Sequence, residues 1–442
     1  MGYDFLFKII DDFYMFATNK PWSTEENERI KHIMEGKVKN IYLDSNIFSA
    51  FRNDVLAVEG DEDESPNTPP SAFCQCPPYF DVAQEIDQTW TDGYTGRNVV
   101  VAVTDVGVDI DSPRLIANIA SHLSYNFVEN NSDPRPKVFP DYPESLPQTN
   151  LCGAGVAFNT KIAALKIGRV KKFHWDTNPE ITSGRFSAAL NFKNQEIHIY
   201  SNSWTFDEPF KMLQPFTERV FEAGLEKGRQ GLGSVFVFPS GPHGNGFTNN
   251  IYTIGVASFG INGTIPRKSF VSSATLVSAF GQGRRRNDNG MLTVTHTSLG
   301  RLTARTCDNK FGGSSAATAL MSGMIALALQ AKHNRADTGF ELVSSSNITC
   351  QEQPYCIDKI ETIIVKLSFV YPKHSQTILS VISPCGTESI LMEHAGEPSK
   401  GENDVGKNEG IFVNATFLAN HFWGEEMEGP WTVKIIGIGS YS

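Results

Sequence analysis

The sequence predicts an α/β domain built on a mostly parallel sheet, followed by a separate β-sandwich of jelly-roll type. Three observations carry this expectation. Unbroken apolar, β-branched runs recur between residues 99 and 257, with a helical stretch among them. A helix that is apolar nearly all round begins at Gly313. Beyond Lys332 short strands and turns follow, with no long helix between them. Strands covered on both faces read as continuous hydrophobic runs, and alternation with helices implies a parallel sheet.

Taken in order, residues 1–81 are mixed in pattern and are expected to be irregular. The run Glu59-Gly-Asp-Glu-Asp-Glu-Ser-Pro66, leading into Asn67-Thr-Pro-Pro70, has the composition of a solvated linker. The texture changes after Asp92-Gly-Tyr-Thr-Gly96. Val99-Val-Val-Ala-Val-Thr104 and Lys161-Ile-Ala-Ala-Leu-Lys-Ile167 are the first candidate strands. Ile197-His-Ile-Tyr200, Ser234-Val-Phe-Val-Phe238 and Ile251-Tyr-Thr-Ile-Gly-Val-Ala257 follow, with a helix expected from Phe216 to Lys227. Asp105 closes the first strand. Ligands of such sheets bind beyond the carboxyl ends of the strands. A carboxylate there is either functional or a cap for the next turn.

Glycines lead into Ser314 and Ser315, and an apolar helix begins at once. Ser315, Ala319, Ser322 and Ala326 recur on one face and would let the helix lie close to a sheet. Free N–H groups and the helix dipole at Ser315 would favour a nucleophile that generates an oxyanion. The same residues also fit a simple helix cap. Ala317 excludes the GxSxG elbow of α/β-hydrolases. The final strands are Thr362 to Phe369, Thr377 to Ile382, Ser389 to Met392 and Trp431 to Ile436, with turns such as Pro384-Cys-Gly386.

The length of 442 residues allows two or three domains. The net charge of −11 argues against nonspecific nucleic-acid binding and permits cationic partners. No apolar run is expected to span a membrane. The start carries Asp11 and Asp12 and no basic segment, so it is a poor signal peptide. Four N-x-S/T sequons, at Asn130, Asn262, Asn347 and Asn414, point instead to a secretory route. Seven cysteines leave at least one unpaired within the chain.

Several ordered motifs resemble those of one family. They are Tyr94-Thr-Gly96, Asp105-Val-Gly107, Cys152-Gly-Ala-Gly-Val-Ala-Phe158, Ile199-Tyr-Ser-Asn-Ser-Trp204, Gly231-Leu-Gly-Ser-Val-Phe-Val237 and Gly313-Ser-Ser-Ala316. Together they resemble the kexin/furin-type proprotein convertases, which are subtilisin-like serine proteases. Ser273-Ala-Thr-Leu-Val-Ser278 through Gly283-Arg-Arg-Arg-Asn287 is most similar to the neuroendocrine branch. The last strands, with Ile382-Ser-Pro-Cys-Gly-Thr387 and Trp431-Thr-Val433, resemble that family's P domain. The resemblance implies a three-layer subtilisin-like domain over 82–335 and a P domain over 354–442, and it replaces the cap-only reading of Ser315.

What the resemblance implies for activity is mixed. It makes Ser315 the nucleophile and Asp105 the residue that orients a histidine base, in an endopeptidase that cleaves secretory precursors after basic residues. The family's histidine opens a His-Gly-Thr motif between the aspartate strand and the Cys-Gly-x-Gly motif. Residues 133–152 hold no histidine, so that block reads as deleted. His122 precedes this interval, and His243-Gly244, the only His-Gly pair, falls after a different strand. Pro242 occupies the oxyanion position, where an Asn or Asp is expected, and offers no donor. Asp207, Glu208 and Trp204 would line the substrate side, while Val106 replaces a second aspartate there. Calcium, expected of the family, would bind weakly or not at all, because Arg114, Asn245 and Ser269 stand where acids are expected. Cys152 and Cys307 occupy positions that are bridged in the family. The pattern fits an impaired enzyme, a regulatory pseudoprotease that binds through an acidic cleft or the P domain, or an incomplete gene product.

Overall fold

The computed structural model describes residues 3–10, 13–18, 86–112, 115–136, 155–170, 179–206, 208–260, 265–266, 270, 272–281, 291–294, 307–333, 360–372, 376–394, 410–425 and 431–438. At the start, β1 (Tyr3–Ile10) and β2 (Phe13–Thr18) form an antiparallel hairpin. This corrects the expectation of an irregular region for those residues. The acidic linker and the Cys74-Gln-Cys76 pair lie outside the described residues.

The central domain begins with α1 (Ile86–Thr91) and β3 (Val100–Asp105). There follow β4 (Tyr125–Asn126), β5 (Lys161–Lys166), and the small antiparallel pair β6 (Gly168–Val170) and β7 (Pro179–Ile181). Then come α2 (Ser183–Asn191), β8 (Ile199–Asn202), α3 (Pro215–Gly231), β9 (Val235–Pro239), β10 (Thr253–Phe259) and β11 (Thr275–Phe280). A second hairpin, β12 (Met291–Val294) with β13 (Cys307–Phe311), leads into α4 (Gly313–His333). The seven strands of the main sheet lie in the order β11-β10-β9-β8-β3-β5-β4, and every pair is parallel.

The period of two along each strand sends alternate residues to opposite faces. Ala102, Tyr200, Phe236 and Phe238 pack with Phe186 and Phe221 of α2 and α3 on one face. Val101, Ile199 and Val237 pack with Ala317, Leu320 and Leu327 of α4 on the other. This makes the three layers that the sequence predicts. The hairpin strand β1 lies against α2 and α3.

Helix α4 departs from expectation in two ways. Its stretch Gly313–Ala331 is long and apolar enough to cross a membrane, although no such run was expected. Here its apolar surface is spent on the sheet, with Ala316, Ala317, Leu320, Ala326 and Leu327 all buried. Of the small-residue stripe, Ser322 and Ala326 are buried but Ala319 is exposed. Steps of four advance by about 40° around a helix, so Ala319 rotates off the face that Ser315 and Ser322 share.

The C-terminal domain is a sandwich. β14 (Ile363–Pro372) pairs with β17 (Gly410–Ala419), and β15 (Gln376–Ile382) lies between β16 (Glu388–His394) and β18 (Thr432–Ile438). All three pairings are antiparallel. Leu379, Val381, Leu391, Val413 and Phe417 fill its core. The sandwich docks on the central domain through the end of β17. Ser273 Oγ donates to the Leu418 carbonyl at 2.8 Å, and the Leu418 N–H donates to Asn249 Oδ1 at 3.1 Å. The Phe210 ring packs edge-on against Phe417 across the same junction.

Candidate active site

Asp105 ends β3, and β8 beside it ends at Asn202. A buried polar scaffold fixes these two strand ends. The Thr104 hydroxyl bonds Asn202 Oδ1, and Asn202 Nδ2 donates to the carbonyls of Tyr200 at 3.0 Å and Val237 at 3.1 Å. Trp204 turns inward rather than toward a substrate. Its indole N–H donates to the Thr104 carbonyl at 2.9 Å, and its ring packs against Phe186, Phe238 and Phe247. Trp204 therefore braces the strand that delivers Asp105.

Ser315 sits in the first turn of α4, and the structure brings it to the same carboxyl end of the sheet. Its hydroxyl donates to the Ser203 carbonyl at 2.8 Å, and the Ser203 hydroxyl donates back to the Ser315 carbonyl at 3.1 Å. One helical turn pair further on, Ser322 Oγ donates to Ser201 Oγ at 2.8 Å. Small hydroxyl residues on β8 and α4 thus hold the helix directly over the strand end. Gly281 completes the approach. A Cβ there would come within 2.7 Å of the Gly313 carbonyl oxygen, so the chain entering α4 tolerates no side chain opposite it.

Asp105 Oδ1 accepts the Val106 N–H at 2.7 Å. Burial raises its carboxyl above the ordinary value, and that N–H offsets part of the rise. Among the described residues no histidine ring bonds Asp105 or Ser315. His122 is exposed on a single turn that precedes β4, at the opposite end of the sheet. His243 lies on the loop after β9, where its carbonyl accepts the Phe210 N–H at 2.8 Å.

The loop after β9 carries Pro242, the residue that the resemblance sets at the oxyanion position. Pro242 is buried, and its carbonyl accepts the Asn245 N–H at 3.1 Å. The Asn245 carboxamide is consumed by its own loop and by the segment that follows β8. Its oxygen accepts Thr205 Oγ1 at 3.1 Å and the Phe247 N–H at 2.9 Å, and its Nδ2 donates to the Phe206 carbonyl at 3.2 Å. No side-chain amide is presented from this turn.

The rim around Asp105 carries several ion pairs. Segment 133–136 lies over the loop after β3. The Val108 N–H donates to the Pro134 carbonyl at 3.1 Å, and a Cβ on Gly107 would come within 2.6 Å of the Pro136 nitrogen. Arg135 pairs with Asp111 at 2.6 Å and Asp133 at 2.8 Å, which holds the Asp111 carboxyl below its usual range. Lys166, opposite Asp105 in the sheet register, is buried and pairs with Glu129 at 3.2 Å. Its ammonium also donates to the Arg135 carbonyl at 3.1 Å. Glu208 pairs with Lys211 at 3.0 Å.

These pairings do not fit a calcium site. Asp111 and Asp133 face a guanidinium, Asn245 has no free oxygen, and among the described residues no three His, Cys, Asp or Glu side chains converge. Arg114, Asp207, Ser269, Cys152, Asn262 and Asn347 lie outside the described residues. Cys307 is placed on β13. The sequon residues Asn130 and Asn414 are exposed. Arg135, Lys166, Asn202 and Ser203 had not been singled out from sequence. A lysine inside the apolar run 161–167 was the one available signal.

Comparison with known proteins agrees with this geometry. The subtilase family matches residues 146–347, which include Pro242 and Ser315 and begin after Asp105. The proprotein convertase P-domain matches residues 360–440. Proprotein convertase subtilisin/kexin type 4 of Rattus norvegicus is 25% identical over 450 residues, covering 80% of this chain and 62% of the relative. Type 6 of the same species is 26% identical over 451 residues, covering 80% and 46%. Rat furin is 25% identical over 447 residues, covering 79% and 53%. The chain thus spans between 46% and 62% of the length of these relatives. A serine protease of Aeromonas sobria, solved with its chaperone, shares the fold with a TM-score of 0.54 at 16% identity, over 78% of this chain and 81% of that one.

Proposed function

The chain belongs to the subtilase family, in the branch that carries a proprotein-convertase P domain, and from this we propose that it is a convertase-type serine endopeptidase scaffold whose hydrolytic step is impaired. By descent its substrates are secretory precursors cleaved after basic residues. One observation carries the impairment. The Ser315 hydroxyl donates its hydrogen bond to the Ser203 carbonyl, a group too weakly basic to take the proton. A serine becomes nucleophilic when a neighbouring base takes that proton as the bond forms. Asp105, half-buried at the end of β3, is the residue that would orient such a base, but its carboxylate engages only the adjacent Val106 N–H in the described structure.

The second loss is electrostatic. A tetrahedral oxyanion needs donors aimed at it, and the buried Pro242 supplies none. Removing one such donor costs about 3 kcal/mol, or a hundredfold or more in rate. Losing a triad member leaves the residual catalysis of binding and oxyanion contacts alone. The two losses overlap, because these groups act as a unit.

The reciprocal Ser203–Ser315 bonds also favour a second reading, a regulatory pseudoprotease. They keep the cleft assembled without turnover. The relatives are named as proprotein convertases, and the exposed sequons at Asn130 and Asn414 support a secretory location. The test is hydrolysis of a fluorogenic peptide ending in Arg-Lys-Arg by the purified chain. No cleavage above that of a Ser315→Ala variant is expected. Robust cleavage that Ser315→Ala abolishes would show that another histidine serves as base, with His243 the first to replace.

A further inference from the structure

We propose that the rim of this cleft is neutralised by the chain's own cations, so that it takes uncharged peptides in preference to arginine-rich ones. The inference rests on reading the cleft as the peptide cleft of a subtilase. It departs from the basic-residue preference that descent alone would assign.

The argument is one of position and charge. In a parallel sheet the segments that follow each strand gather at one end. The loops after β3, β4, β5 and β8, and the first turn of α2, therefore lie at the end of the sheet that carries Asp105 and Ser315. Carboxylates on those loops are the groups that would receive guanidinium or ammonium groups from a peptide. Each one described in an ion pair already holds such a group from its own chain. Arg135 spans Asp111 and Asp133, its Nε and Nη2 meeting both Asp111 oxygens at 2.6 and 3.0 Å. This fork is the geometry by which a substrate arginine would bind a carboxylate.

The same holds further along the rim. Glu180, at the foot of α2, pairs with Arg169 at 3.1 Å and lies 3.8 Å from Arg185. Arg185 is the most consequential of these cations. Its side chain is only 17% exposed, and its buried Nη1 has no hydrogen-bond partner. A cation shielded from water in this way repels an incoming cation over a longer range than an exposed one does. Lys211 pairs with Glu208 at 3.0 Å in a half-exposed contact. The four carboxylates Asp111, Asp133, Glu180 and Glu208 thus meet the four cations Arg135, Arg169, Arg185 and Lys211, and these paired groups sum to no net charge. The chain's overall −11 acts from farther away and is screened at physiological salt, where the Debye length is about 8 Å.

The test is fluorescence anisotropy on the purified full chain at about 150 mM salt. Two labelled peptides are compared, one containing Arg-Lys-Arg-Arg and one with Gln at all four positions. The unmodified chain is expected to bind the uncharged peptide at least as tightly as the basic one. The variant Arg135→Gln/Arg185→Gln/Lys211→Gln is expected to gain about tenfold for the basic peptide and to leave the uncharged one unchanged. If that variant does not fold, Lys211→Gln alone, on a half-exposed pair, should gain about threefold. A tenfold preference of the unmodified chain for the basic peptide overturns the inference, as does a folded variant with no gain. If neither peptide binds either protein, the cleft is not a peptide cleft, and the inference falls with that reading.

Discussion

Gln330 offers a quantitative test of how α4 is held. Its side-chain oxygen accepts three consecutive backbone N–H groups, from Thr95 at 2.8 Å, Gly96 at 2.7 Å and Arg97 at 2.9 Å. Its Nε2 donates to the Gly93 carbonyl at 3.1 Å. The residue itself is 8% exposed, so water does not reach these groups in the folded chain. Gln330→Ala removes the shared acceptor. Arg97 is exposed and its N–H can turn to solvent. The N–H groups of Thr95 and Gly96 are buried, and each buried unsatisfied donor costs about 1–3 kcal/mol. Allowing a water to enter the space left behind, the expected loss is about 3 kcal/mol. For a domain of this size that is roughly 6–12 °C in Tm.

The assay is urea unfolding of the full chain, read as a fall in midpoint at constant m-value. Gln330→Glu keeps the acceptor and gives up the Gly93 bond, so it should lose less than Gln330→Ala. A loss below about 0.5 kcal/mol for Gln330→Ala would mean that the turn at 93–97 holds itself, and that α4 is located from its N-terminal end alone.

Two further outcomes follow from individual side chains. Burial raises the Asp105 carboxyl in the folded chain, so the stability tied to its protonated form is present below the ordinary value of 3.8 and is lost as pH rises through the raised value. Asp105→Asn should therefore raise Tm at pH 7 and leave it unchanged at the acid end of that window; a fall at pH 7 would mean that a cation pairs with Asp105. Ser273 is fully buried and donates to the Leu418 carbonyl across the domain junction, so Ser273→Ala should cost about 1–2 kcal/mol and quicken proteolysis between the domains. Unchanged proteolysis would place the strength of the junction elsewhere, with the Phe210–Phe417 contact the first candidate.

The architecture was legible because its signals are local. Val99 to Thr104 and Lys161 to Ile167 are unbroken apolar runs, and such runs need cover on both faces. The same logic located α4 and Ser315 at its first turn. The hairpin at residues 3–18 escaped because its strands do not alternate cleanly and Asp11-Asp12 lacks the glycine that marks a tight turn. Trp204 shows the limit of motif matching. The motif located it beside the cleft, but the direction of its ring depends on the Thr104 carbonyl and three aromatic neighbours from distant parts of the chain. Arg135 and Lys166 were hidden for a related reason. Their partners are remote in sequence, as with Arg135 and Asp111, which are 24 positions apart. The contact made by Ser315 left no trace in the sequence at all, because its partner is a backbone carbonyl.

Labelling with a fluorophosphonate tests the central claim most directly. The reagent is attacked by a serine whose proton is removed as the bond forms, and it needs no fit to a substrate pocket. With the Ser315 hydroxyl bound to the Ser203 carbonyl and no imidazole beside it in the described structure, the purified chain is expected to label no faster than its Ser315→Ala variant. Stoichiometric labelling at Ser315, lost on that substitution, would contradict the account and show that a base reaches this serine.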